Sequence, residues 1–204
     1  MNRSTRPIFE DPIKLIVILF LLLAVAAGTL ALVQRHALIA ELEQESVTLY
    51  RLTSQRADQH DAHLTALSAI AVAGQGERHD LFLDVAATIS RFYSRIDEVQ
   101  LVPLDPQGGI TGTEPLDPGT ADLVRSATRA SDGRIVLLPR PGKPHHYMMV
   151  KRSPNSDAAR YGLMLGIDAR KLLGETTAFW SRPGVALSLS LPDGHRLVGQ
   201  GMPP

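Results

Sequence analysis

Two groups of residues in this 204-residue chain have the types and spacing to do chemistry. The first is His60-Asp61-Ala62-His63. Two imidazoles at i and i+3 of a helix are neighbours, close enough to share a metal ion or to act as a pH-responsive pair. No further ligand stands nearby in sequence, so metal binding would need a second copy of the chain. The competing reading is a polar, solvated helix face. The second group is a window of one sign. Gly133–Ser156 contains no acidic residue but holds Arg134, Arg140, Lys143, Lys151 and Arg152, with His145, His146 and Tyr147 among them. Guanidinium and ammonium donors gain most against anions in partly desolvated pockets. The loop Pro139–Pro144 beside a sheet could therefore clamp a carboxylate or phosphate. The candidate ligand-binding set is Arg134, Arg140, Lys143, His145 and Tyr147, with Tyr161 on the following strand. A solvated or membrane-facing basic rim is the competing reading. Tyr147 and Tyr161 equally suit a sheet core.

The chain lacks H-E-x-x-H, G-x-S-x-G, Walker A and G-x-G-x-x-G patterns. No enzymatic activity and no cofactor are expected. Formal net charge is zero, which gives nucleic-acid binding no electrostatic support. The absence of cysteine excludes disulfides and thiolate metal sites, and suits an oxidising compartment.

The elements that must position these residues begin with Leu15–Val33, nineteen residues without a charge. At about 1.5 Å per residue such a helix crosses most of a ~30 Å hydrocarbon core. Arg3, Arg6 and Lys14 precede it, whereas Arg35 and then Glu41, Glu43 and Glu45 follow. The Lys/Arg bias places residues 1–12 in the cytoplasm, a membrane span at 13–33, and residues 34–204 outside. A cleaved signal peptide with Ala24-Val25-Ala26 as its site is the alternative, but the apolar run is longer than a usual h-region and Glu10 and Asp11 interrupt the n-region. Either way the remainder is exported.

Residues 34–73 contain no Pro or Gly and are rich in good helix formers. One long helix is expected, its lower half available to a second copy and its upper half, from Leu64, packed on its own domain. The stretch Gln55–His63 is polar nearly all round. Residues 74–204 form that domain. Gly74-Gln75-Gly76 breaks the helix, and a second follows over Asp80–Tyr93 with Asp80 as its cap. Strands are expected at Glu98–Pro103, Ile110–Thr113, Arg134–Leu138, His146–Arg152, Tyr161–Ile167, Val185–Leu191 and His195–Val198. A helix from Pro118 to Ala130 is capped by Asp117, and Asp168 caps a short helical turn. Phe179 and Trp180 lie in the loop before the last hairpin, in a pocket, at a bilayer surface or in the core. The class is α+β, an antiparallel sheet with helices collected on one side.

This order resembles the extracytoplasmic Cache (PAS-like) sensor domains at the front of bacterial sensor histidine kinases and chemoreceptors. The likeness is carried by Tyr147–Leu173, YMMVKRSPNSDAARYGLMLGIDARKLL, similar to that family's core hairpin and short helix, and by Val185–Val198, VALSLSLPDGHRLV, similar to its closing hairpin. The resemblance implies an inner-membrane sensory input region and a small ligand held between the sheet and its covering loops; the long helix itself points to a homodimer. The resemblance also implies a second membrane helix after the sheet. The sequence ends at Met202-Pro203-Pro204, so that helix is expected in a longer chain, or its role in a partner. A reading from another class is an anchored protein-interaction module without a small ligand.

Overall fold

A computed structural model describes residues 12–74, 78–174 and 187–199. The expected cytoplasmic tail up to residue 11, most of the Gly74–Gly76 break, the Phe179-Trp180 loop and the chain terminus lie outside them. The chain divides into two compact units, residues 1–51 and 52–204.

Helix α1 runs Pro12–Ala73 and contributes to both. In the first unit its apolar stretch stands exposed: Phe20 is 75% exposed and Leu19 59%. An 18-residue window of it has mean hydropathy 3.0 and none of it is buried. It is long and apolar enough to span a membrane. Thr29 lies inside this stretch and returns its hydroxyl proton to the carbonyl of Ala26 at 2.9 Å, which satisfies it without water.

The second unit is built on a five-stranded, wholly antiparallel sheet ordered β2-β1-β5-β4-β3. The strands are β1 (Ile96–Pro103), β2 (Thr111–Gly112), β3 (Val136–Pro139), β4 (His146–Ser153) and β5 (Tyr161–Asp168). A separate two-stranded sheet pairs β6 (Ser188–Ser190) with β7 (Arg196–Gly199). Its β6 begins three residues later than the alternation of Val185–Leu191 suggests, and Val185 and Ala186 lie outside the described residues.

Helices cover both faces of the five-stranded sheet, not one. On one face Leu64, Leu67 and Ala71 of α1 and Phe82, Ala86 and Ile89 of α2 (His79–Phe92) pack with Val99, Leu101, Tyr147, Met149, Leu163, Leu165 and Ile167. On the other, Ala121 and Val124 of α3 (Pro118–Ala130) pack with Val102, Met148, Val150 and Met164. The reason is in the strands themselves. Met148 and Met149 point to opposite faces and both are buried, as are Met164 and Leu165. Strands buried on both faces read as continuous apolar runs, and a sheet of that kind needs two covering layers.

Glycines set the distance of α3 from the sheet. A Cβ at Gly162 would lie 2.3 Å from Thr128 Oγ1, and one at Gly166 would lie 2.7 Å from the Glu98 Cβ. Both positions face α3, so β5 can carry a helix and a buried glutamate across its surface.

The caps divide. Asp117 accepts from the Thr120 amide at 2.8 Å, with Pro118 at the first helical position, as the sequence suggests. Asp80 is not the cap of α2. Arg78 occupies that position without a side-chain bond, and Asp80 sits inside the first turn, paired with Arg78 at 3.1 Å. There its charge complements the helix dipole.

Candidate functional site

The loop between β3 and β4 is closed by its own backbone. Arg140 N–H donates to His146 O, Lys143 N–H to Arg140 O and His146 N–H to Lys143 O. This closure turns the Arg140 side chain inward, where only 8% of it stays exposed. Its Nε and Nη2 donate to the two carboxylate oxygens of Glu98 at 2.9 and 3.0 Å, and its Nη1 to Thr120 Oγ1 at 2.6 Å and Asp117 Oδ2 at 3.1 Å. Burial opposes the guanidinium charge, but the bonds and charges of Glu98 and Asp117 outweigh it and hold its pKa above the ordinary value. Lys143 Nζ lies 3.5 Å from Asp97 and 3.8 Å from Glu98, and His146 Nε2 lies 3.0 Å from Asp97. Above this network is an open groove of about 540 Å³, walled by Leu123, Leu138, Pro139, Pro141 and Pro144 with His195 at its rim.

The one-signed window is therefore neutralised in three dimensions. Arg134 pairs with Asp132, Arg140 with Glu98 and Asp117, Lys143 with Asp97, Lys151 with Asp61, and Arg152 with Asp157. The acids come mostly from other segments, with Asp61 on α1 and Asp97 and Glu98 on β1. A guanidinium with its donors bound to an internal carboxylate has little left for an external anion.

The six candidate ligand residues do not converge on one cavity. Arg140 and Lys143 share the groove. Arg134 is exposed beside Asp132 and lines none of the described cavities. His145 shares a 2.8 Å hydrogen bond between Nδ1 and Leu197 O, which ties β4 to β7. Tyr147 is 7% exposed within the α1 and α2 core, and burial pushes its phenol pKa up. Tyr161 lines two other grooves, of about 410 and 200 Å³, together with Arg160.

The histidine pair is not on a solvated face. His60, Leu64, Leu67 and Ala71, spaced four, three and four, are the buried residues of α1. His60 is fully buried, so the domain contact begins a turn earlier than Leu64. Its Nε2 accepts from Arg95 Nε at 2.9 Å, which leaves the ring proton on Nδ1, where it has no partner. Arg95, 6% exposed, also donates to Gln59 Oε1 and lies 5.0 Å above the ring of Tyr93. His63 packs its ring 4.6 Å from the Tyr93 ring, and its Nε2 is buried without a partner. Burial first, then the charge of Arg95, lower the pKa of both histidines, that of His60 to about 3. With the guanidinium on Nε2 and the proton on Nδ1, the His60 ring offers a metal no free lone pair. Among the described residues no group of three or more possible ligands forms.

Sequence reasoning missed Arg95, Glu98 and Asp117 as partners. The heptad-like spacing of His60 ahead of Leu64 and Leu67 could have placed it inside. Nothing local marks Arg95 or Glu98 as buried. Comparison with known proteins adds no relative: no family model matches the chain, and no curated protein and no solved structure is significantly similar to it.

Proposed function

We propose that the chain is a membrane-anchored, extracytoplasmic sensory input region of the Cache or PAS-like kind. It would bind a small ligand and pass a conformational signal through its membrane helix, as the N-terminal part of a two-component sensor histidine kinase in a bacterial inner membrane. The observation that carries this reading is the double use of α1. One helix holds the apolar stretch Leu15–Val33 and, through His60, Leu64, Leu67 and Ala71, a wall of the sheet's core. A ligand that favours one packing of sheet against helix over another needs only differential affinity to shift that packing. The Lys/Arg asymmetry supports the orientation, and the exposed Leu38, Leu42 and Val47 support pairing of two copies through α1.

A second reading, an anchored adaptor for another protein, draws support from the groove at Pro139–Pro144. It is open, its walls are apolar, and its nearest cations are already paired. A thermal-shift screen of the full chain in detergent micelles, against small carboxylates, amino acids and phosphates, separates the two. A specific rise in Tm supports the ligand sensor by mass action. No shift with any class, together with a protein partner recovered by pull-down from the periplasm, supports the adaptor. The full-length gene tests the kinase assignment. A second span followed by a kinase domain is expected.

A further inference from the structure

Among the described residues, the buried cation Arg95 donates to two neutral acceptors, Gln59 and His60. Removing one partner of a buried charge is expensive, and a like charge beside it more so. The groups that face this cluster can be named element by element. On α1 they are Arg56, Gln59, His60 and His63. From the connection between α2 and β1 come Tyr93 and Arg95, and from β4 comes Tyr147. No carboxylate is among them. Asp58 is on the exposed side of α1, and Asp61 is held by Lys151 at 2.6 Å. A second proton on His60 would have to go on Nε2, the atom that accepts from Arg95. That bond would be lost, and two cations would stand where one donor met one acceptor.

We infer that the His60–Arg95–His63 cluster is a proton-sensitive latch, holding the Arg56–His63 turns of α1 to the Tyr93–Arg95 segment while the imidazoles are neutral and releasing them when acid protonates them. Release exposes His60 and Arg95 to water, where both charges are tolerated. The stimulus is the proton itself, with no cofactor or further reactant. That release would carry a signal rests on the sensory reading above; the latch stands without it.

The direction follows from linkage. The latched form binds fewer protons than the released one. Its stability is therefore fully present above the ordinary histidine pKa of 6.5 and is lost as pH falls toward about 3. Through that window the latched-to-released ratio drops about tenfold per pH unit for His60 alone.

The test is hydrogen exchange of the full chain in detergent micelles from pH 7 to pH 4.5, corrected for intrinsic rates. Protection of amides in residues 56–63 is expected to fall about fiftyfold between pH 6.5 and 4.5, while that of β5 holds. In His60→Gln, whose amide oxygen can still accept from Arg95, the fall is expected to shrink at least tenfold. Protection of 56–63 that does not change with pH in the wild-type chain would overturn the latch, whether or not the variant folds. So would a fall of the same size in His60→Gln. The ligand screen is read separately. Failure of the latch leaves the sensory reading open, and a latch without any ligand removes the small molecule but not the proton.

Discussion

Two arginines are buried against opposite faces of one sheet, and they are held in opposite ways. Arg140, on the α3 face, meets the carboxylate of Glu98 with two parallel bonds and that of Asp117 with a third. Arg95, on the α1 and α2 face, meets an imidazole nitrogen and an amide oxygen. The first arrangement is a bidentate pairing of opposite charges. The second is an ion held by groups that are good acceptors only while neutral. The α3 face is thus fastened by paired opposite charges. The α1 face is fastened conditionally, at the root of the helix that leads back toward the apolar stretch.

The largest effect is expected where the charge pair is broken. Glu98→Ala leaves Arg140 buried with one partly exposed acid and should destabilise the domain by about 3–5 kcal/mol in denaturant unfolding. Replacing both, Arg140→Met with Glu98→Leu, should recover most of that loss, because a buried pair exchanged for apolar groups is often close to neutral. If the double variant is as unstable as Glu98→Ala, the pair is not the reason for the loss.

Next in size is the cap beneath the same network. Asp117→Ala removes the bond to the Thr120 amide and should cost about 1 kcal/mol. The hydrogen bonds to Thr120, ahead of that to Arg140, hold the Asp117 carboxyl down to about 2. Its contribution is therefore present above the ordinary value of 3.8 and lost as pH falls toward about 2, below most of the window in which the histidine latch opens. The stability gap between variant and wild type, from denaturant unfolding at each pH, should hold constant above 3.8 and close as pH falls toward about 2.

Lys151→Ala cuts the tie to Asp61 and Thr65 on α1. Asp61 is about half exposed, so the loss should be at most about 1 kcal/mol and should shrink in high salt. Smallest of all is Arg134→Ala. The side chain is 89% exposed and paired with Asp132, so its Tm should match the wild type within error. A change of ligand response in Arg134→Ala would restore it as a binding residue, against its position here.

The sequence was legible where chemistry is local. The Asp117-Pro118 start of α3, the hairpin from His146 to Asp168 and the Pro192-Asp193-Gly194 turn depend on residues within a few positions of one another, and each stands where local rules place it. Gly194 has the positive φ that this turn requires. The charge window departs from the sequence reading because pairing is non-local. Glu98 is 42 residues from Arg140 and Asp61 is 90 residues from Lys151, so a window of uniform charge along the chain became a set of neutral pairs in space. His60 is polar by type, yet its spacing to Leu64 and Leu67 puts it on the buried stripe. The placement of helices on one side failed for another reason. Adjacent apolar residues such as Met148 and Met149 face opposite sides of the sheet and both are buried, so each side needs its own cover.

The contrast between the two arginines is tested most directly by the titration of His60 itself, read from its imidazole carbon and proton shifts in the isotopically labelled full chain in micelles. A midpoint near 3, or abrupt loss of the resonance as the turn releases below pH 6.5, is the expected result. A smooth titration centred on 6.5, with the 56–63 amides still protected, would contradict it, because the ring would then be charged beside Arg95 at no cost.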